Sequence, residues 1–558
     1  MKIRLVLLAL LVSYFFPAIS QDRFVVFFTD KNNSPYSLAN PLQFLSQRAI
    51  DRRMNQGLAI DISDLPVNPQ YVQGLVNAGA VILNTSKWFN AAIIQAGSPA
   101  VLNSINQLPY VNIFNNVGRY GATGSSSQVK FEPLLERTGN IGLRTSSGAA
   151  SNSFNYGFAN DQVNMLGLAQ LHNQGYTGEG MLIAVIDAGF LDLPLMTCFD
   201  SILNNNQIIG TWDFVDHEAD VYDDHYHGAA VLSCMAANVP DTLVGTAPHA
   251  SYLLLRSEDA GSEYLIEEYN WSVAAEYADS AGADIINSSL GYTLFDDPTQ
   301  NHFYSDMDGN TNPATIAADW AAKKGMLVLN SAGNEGNSPW NYISAPADAD
   351  SILAVGAVDF SGTYASFSGN GPTADNRVKP DVAAMGQNTW LYSPYSNNQP
   401  TMGNGTSFSS PVLAGAVACL WQAWSQRSNM EIIQAVKRSA SQFSNPDTQL
   451  GYGIPNLTLA NSLLNLEEYT LPANLLVHVF PNPLGADEIL TIVFHAKNSK
   501  QATLSIFDLS GRLVTRSNFE TVYGALNEWK LRHNLPNGSY LLEINDGTAS
   551  VVSKLIRY

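Results

Sequence analysis

The 558-residue chain has little cysteine, little positive charge and, past its first residues, no long apolar run. Its three cysteines, Cys198, Cys234 and Cys419, are odd in number, far apart and without metal-ligand spacing. That excludes a disulfide framework and a zinc finger and leaves them as small core residues. Lys plus Arg number 28 against 49 for Asp plus Glu, a formal net charge of −21. Such a surface repels phosphate backbones and anionic lipid, so no nucleic acid is expected as a partner. Charged residues make up only 14% and hydrophobic ones 46%, which excludes global disorder and a coiled coil. What remains is a globular chain, and at roughly 150 residues per domain its length points to two to four domains.

Lys2 and Arg4, the apolar run from Leu5 to Phe16 and the small-residue site Ala18-Ile19-Ser20 stand in the order of a signal peptide. The run is short against the roughly 20 residues of a membrane span. Residues 1–20 are therefore expected to be removed on export, and no later segment is long and apolar enough to span. Residues 24–115 mix strand patterns at Phe24 to Phe28, Val81 to Leu83, Ala91 to Ile94 and Val111 to Phe114 with helical ones near Pro41 to Asn55 and Asn68 to Asn77. A further helix starts at Ser98-Pro99, an N-cap and first helical residue. This predicts a small α+β domain, followed by Gly/Ser-rich linker stretches at 118–127 and 145–153.

From about 160 to 466 short apolar runs alternate with helical segments. The runs are Met181 to Ile186, Tyr252 to Leu255, Ile285 to Ile286, Met326 to Leu329 and Ile352 to Val358; helices are expected at Asp161 to Gln174 and Leu265 to Ser280. That alternation predicts an α/β domain, a central parallel sheet with helices on both faces. After a linker at 467–473, period-2 alternation takes over, as in Ala502, Leu504, Ile506 and in Tyr540, Leu542, Ile544. Residues 474–558 are expected to form a small β-sandwich.

Three segments of the central domain set a chemically active side chain close to glycine. Asp187 ends the run Leu182 to Ile186, at the sheet edge where open α/β sheets bind ligands. His227 precedes Gly228-Ala229-Ala230-Val231-Leu232-Ser233, and Ser407 lies in Gly405-Thr406-Ser407-Phe408-Ser409-Ser410-Pro411-Val412-Leu413-Ala414-Gly415. A serine on such a glycine-rich approach to a helix lies near unpaired backbone N–H groups, which suits it to oxyanion chemistry. Singly, each segment also fits a turn, a cap or a core histidine.

Together they resemble the motifs of the subtilisin-like serine proteases, or subtilases. The family's VAVIDTG corresponds to Ile183 to Gly189, its HGTHVAG to His227 to Ser233 and its GTSMASPHVAG to Gly405 to Gly415. Asn287 to Gly291 resembles the family's substrate-binding strand, Ser331 to Gly336 its AAGNEG segment and Lys379 to Ala384 its KPDVAAPG stretch. The resemblance implies a triad of Asp187, His227 and Ser407 with Asn334 at the oxyanion. It also implies substrate contacts at Ser289, Leu290, Gly291, Ala332 and Gly333. Ala188 in place of threonine, Ala230 in place of the second histidine and Phe408-Ser409 in place of Met-Ala depart from the motifs without removing a reacting group.

By the same resemblance, the segment 21–150 holds a propeptide that inhibits the enzyme until cut, and 151–466 is the peptidase domain. Val479 to Pro483, Ile506 to Arg512, Leu535 to Tyr540 and Lys554 to Ile556 are similar to type IX secretion sorting domains. The partners implied are protein or peptide substrates, the chain's own propeptide and the secretion machinery of a Gram-negative bacterium, with delivery across both membranes to the surface or medium. No cofactor is expected for catalysis. Relatives often carry structural calcium, yet Asp306 to Asn310 lacks the distal glutamate of a calcium loop, and Asp223, Asp224, His225 and His227 lack a third distant ligand. No metal site is assigned. The expected first pocket, Ser289 to Gly291, Ala332-Gly333 and the segment near Ser344-Ala345-Pro346, offers no carboxylate, so an apolar residue is expected before the scissile bond. The alternative is a catalytically silent adhesion protein on the same scaffold.

Overall fold

A computed structural model describes residues 21–120, 130–131, 154–468 and most of 475–557, apart from 481, 483, 486–488, 497–500, 522–525, 533–534, 546 and 548–549. The expected signal peptide, most of the first Gly/Ser-rich stretch, all of the second and most of the 467–473 linker lie outside the described residues. Among those described, no helix is long and apolar enough to cross a membrane.

The N-terminal domain is a four-stranded antiparallel sheet in the order Val81–Ser86, Ala91–Ala96, Gln21–Phe28, Val111–Tyr120. The helix expected over Pro41 to Asn55 is a 3-10 turn, Pro41–Gln43, and a separate helix Gln47–Asn55. Ser46 breaks them apart because its side chain caps the second helix at the Ala49 N–H. Strand alternation decides where the sheet goes. Phe24, Val26, Phe28, Ala92 and Ile94 face the domain's own core with Leu75 and Ile105. Val25, Ala91, Ile93 and Val117 point the other way, into a cluster shared with Tyr269 and Trp271 of the helix Ile266–Ala281.

The peptidase domain is built on seven parallel strands in the order Val382–Met385, Leu353–Val358, Leu327–Ser331, Ile285–Ser288, Leu182–Asp187, Ser251–Arg256, Ile208–Asp213. All six residues of Leu182–Asp187 are buried, as a parallel strand covered on both faces requires. The helix expected from Asp161 to Gln174 is two short ones, Asn160–Met165 and Ala169–Asn173, parted by Gly167 at φ +64°. Two helices, His227–Ala236 and Thr406–Ala423, are buried almost throughout. Their sequences are apolar on all sides, which is the pattern of a core helix.

The C-terminal unit pairs a sheet Leu475–Phe480, Leu490–Ala496, Leu526–Leu531 with a sheet Leu513–Glu520, Gln501–Asp508, Gly538–Asn545, Ser550–Arg557, all antiparallel. The alternating residues Ala502, Leu504, Ile506, Tyr540, Leu542 and Ile544 form one core with Ile492 and Trp529 of the other sheet. Asn482 accepts a hydrogen bond from the Ile556 N–H at 2.9 Å and donates one to the Lys554 carbonyl at 2.6 Å. Two of the motifs noted in the sequence thus brace each other.

Candidate active site

Asp187 ends its strand fully buried. Its Oδ1 accepts the Ala188 N–H at 2.8 Å and lies 2.7 Å from Nδ1 of His227, itself only 2% exposed. His227 is the first residue of its helix. That helix start packs directly on the strand end: a Cβ on Gly228 would lie 2.4 Å from the Gly189 carbonyl oxygen and 3.0 Å from Cβ of Asp187. The glycine after the histidine therefore sets the carboxylate and imidazole in contact. With Nδ1 engaged, Nε2 is the nitrogen left to exchange a proton. Asp187 Oδ2 has no hydrogen-bond partner among the described residues, and the adjacent Ala188 has no hydroxyl to offer one.

Ser407 is the second residue of the helix Thr406–Ala423, where backbone N–H groups lack intrahelical acceptors. Asn334 Oδ1 takes up the Thr406 N–H at 2.8 Å and the Thr406 hydroxyl at 2.9 Å. Its amide nitrogen lies beside Gly405: a Cβ there would be 3.5 Å from Asn334 Nδ2 and 3.7 Å from the Ser407 N. Two N–H donors thus border one small space. Pro411, four residues on, cannot donate to the Ser407 carbonyl, and Ser289 Oγ donates to that carbonyl at 2.8 Å. Ser407 Oγ points to the Ser289 carbonyl at 3.4 Å; its hydrogen bond to His227 is not made in this structure. The phenyl ring of Phe131 lies against the imidazoles of both His227 and His225, each at 4.5 Å between centroids.

Ser289, Leu290 and Gly291 run on from the strand Ile285–Ser288, and the Leu290 carbonyl accepts the Asn330 amide at 3.0 Å. Across from them Ala332 and Gly333 follow the strand Leu327–Ser331. A Cβ on Gly333 would meet Glu335 Oε2 at 2.5 Å and Ser344 Oγ at 2.8 Å. This corrects the expectation that the pocket offers no carboxylate, because the glutamate of the Asn334-Glu335 pair folds back beside Gly333. Asp381, by contrast, pairs with Lys379 and Lys437 at 2.7 Å each and accepts the Ala354 N–H, which ties adjacent strands of the sheet.

His225 is separate from the triad geometry, and burial pushes its pKa down to about 4, with His227 adding to the effect. Asp224 pairs with Arg256 at 3.0 Å, and Asp308 accepts the Asn310 N–H and the Thr311 hydroxyl within its own turn. Among the described residues, two groups of three acids are close enough to hold a cation, Asp213 with Asp216 and Asp224, and Glu258 with Glu263 and Glu267. Arg256 contacts all three members of the first. Sequence reasoning missed the second, along with Lys130 and Phe131, because these residues are polar or isolated and meet only through the fold.

Residues 178–453 match the subtilase family, residues 23–129 the peptidase S8 propeptide domain of Bacteroidota, and residues 478–557 a secretion system C-terminal sorting domain. The chain is 32% identical over 294 residues to subtilisin E of Bacillus subtilis, covering 52% of this chain and 68% of that protein. It is 30% identical over 290 residues to thermitase of Thermoactinomyces vulgaris, covering 50% and 88%. To the thermophilic serine proteinase of Bacillus sp. strain AK1 it is 27% identical over 412 residues, covering 72% and 92%. The protein is a secreted or cell-surface serine endopeptidase with a propeptide and a sorting domain. In its central sheet and the relatives that match it, the chain belongs to the subtilase family.

Proposed function

We propose that the protein is exported as a proenzyme and hydrolyses peptide bonds through Ser407, His227 and Asp187. His227 Nε2 takes the Ser407 proton as Oγ adds to the scissile carbonyl, and Asp187 holds the imidazole tautomer and stabilises the imidazolium. Collapse of the tetrahedral adduct releases the amine with a proton from His227 and leaves an acyl-enzyme, which water then cleaves. The developing oxyanion takes hydrogen bonds from Asn334 Nδ2 and the Ser407 N–H; one such donor typically contributes about 3 kcal/mol. The observation that carries this reading is the Asp187–His227 contact at 2.7 Å in a site closed to water, since burying such a pair is costly and core packing alone has no use for it.

The described state is then the resting precursor. Ser407 Oγ must turn from the Ser289 carbonyl toward Nε2, and Phe131 must leave the imidazole. Cleavage within 118–153 by the enzyme itself starts that release, and the sorting domain carries the protein through the type IX route. The small-residue walls of the first pocket favour an apolar or aromatic side chain, with Glu335 reducing the discrimination against Lys and Arg. No cofactor takes part, and a structural calcium has no assigned ligands. Ser407→Ala in the full chain is expected to remove peptide hydrolysis by about 10⁴-fold or more and to make the uncut precursor accumulate. Processing and hydrolysis at the normal rate in this variant would refute the reading.

A further inference from the structure

Glu258, Glu263 and Glu267 bring carboxylate oxygens within 4.8 Å of one another. Three carboxylates so close and so little exposed are costly unless a cation joins them. Here the cation comes from the chain itself. Lys130 Nζ lies 3.1 Å from Glu258, 3.0 Å from Glu263 and 2.8 Å from Glu267. It also donates to the carbonyls of Asp259 at 3.1 Å and Ser262 at 3.0 Å. Five oxygens surround an ammonium whose side chain is only 15% exposed. The next residue along the chain is Phe131, which covers the His227 imidazole. The cage is therefore one residue, about 3.8 Å of backbone, from the group that contacts the catalytic base.

The two sides of this contact have different fates. The glutamates belong to the peptidase domain and are held there: Glu258 accepts the Tyr292 hydroxyl, and Glu267 accepts the Asp259 N–H. Lys130 lies within 118–153, the stretch in which the cut is proposed, and cleavage on its C-terminal side removes it. With its departure the cage keeps three acids and loses their counter-charge. Burial already pushes Glu263 up to about 7, against the pull of Lys130, and raises Glu267 well above the carboxylate range. A cation entering the emptied cage would meet the same converging oxygens that hold Lys130, one residue along the chain from the ring that covers His227.

We propose that Glu258, Glu263 and Glu267 form a substrate subsite that selects a lysine or arginine side chain close to the scissile bond, and that Lys130 is its first occupant. The subsite is distinct from the first pocket at Gly291 and Gly333, and the proposal rests on the peptidase reading above. Three ammonium donors among five converging oxygens suit lysine best.

The test uses mature enzyme from the full chain, titrated first with a fluorophosphonate. Peptides carrying norleucine at every position before the scissile bond are compared with peptides in which one norleucine at a time is lysine or arginine. One position is expected to gain at least about tenfold in kcat/KM from lysine, chiefly through KM, as a partly buried charge pair provides. In Glu263→Gln, the most exposed of the three and the least disruptive to replace, that preference is expected to fall toward twofold, and in the double variant with Glu267→Gln to vanish. Enzyme that labels and cleaves but prefers lysine or arginine at no position overturns the subsite alone. So does stoichiometric calcium binding that requires Glu263 in enzyme without a lysine preference. Protein that neither labels nor cleaves overturns the peptidase reading and the subsite with it.

Discussion

Two small antiparallel β units stand at either end of the peptidase domain in sequence, and they bury their apolar faces in different ways. The C-terminal sandwich sets two sheets face to face, so that Leu504, Ile506, Leu542 and Ile544 close a core with Ile492 and Trp529. The N-terminal sheet has one face on its own helices and leaves Val25, Ala91 and Ile93 to pack on the peptidase helix Ile266–Ala281. Charges ring that second contact. Asp279 receives Arg52, Arg53 and Lys87, Lys324 reaches Asp61 and Asp64, and Glu276 accepts the Lys87 and Trp88 N–H groups. The N-terminal unit is thus held on the peptidase domain by an apolar face together with charged groups that water can serve after release, whereas the C-terminal sandwich closes a core of its own.

Removing the hub of the charged contact gives the largest expected effect. Asp279 is fully buried, and against the cost of that burial Lys87, Arg52 and Arg53 hold its pKa below the usual carboxylate range. Asp279→Ala strands Arg52 and Lys87 and leaves Arg53 with Asp64 as its carboxylate partner, and a loss of about 3–5 kcal/mol is expected in denaturant unfolding of the Ser407→Ala precursor. A change under about 1 kcal/mol would mean that the apolar face alone holds the N-terminal domain.

Leu504→Ala probes the other side of the comparison. About 3 kcal/mol should be lost from the sandwich's own unfolding transition, with peptide hydrolysis unchanged and delivery to the surface reduced. A matching fall in peptidase stability would show that the sandwich depends on the peptidase domain after all.

Acid gives the smallest effect and acts on the peptidase core. Burial pushes His172 down to about 4, where the neutral ring contacts the Tyr156 hydroxyl and the Thr246 carbonyl. A base with a lowered folded pKa takes up protons more readily when unfolded, so its contribution is lost as pH falls from the unfolded value of 6.5 toward 4. Between pH 7.5 and 5 the stability difference between the parent chain and His172→Gln should shrink by about 2 kcal/mol. A difference independent of pH would contradict the burial argument.

The sequence was most legible where local pattern and position in the fold coincide. Asp187, His227 and Ser407 stand out because each lies at a strand end or helix start beside glycine, while their roles are what the resemblance to the subtilases implies, and the sandwich was visible because Leu504 and Ile506 alternate with polar neighbours. The edge strand Ile208–Asp213 was missed because its residues are half exposed and carry little alternation. Lys130 with Glu258, Glu263 and Glu267, and Arg53 with Asp279, were invisible for a different reason. Their charges look like solvated surface until partners more than 100 residues apart are brought together. Glu335 was visible in its motif, but its return beside Gly333 depends on a loop geometry that spacing does not encode.

The central claim is that Ser407 is an activated nucleophile once the segment around Lys130 and Phe131 has been removed, and labelling with a serine-reactive fluorophosphonate tests it most directly. The account predicts one adduct per mature molecule, located on Ser407 by peptide mass spectrometry, and little adduct on uncut precursor. Mature protein that stays unlabelled, or labels elsewhere while still cleaving peptides, would contradict it.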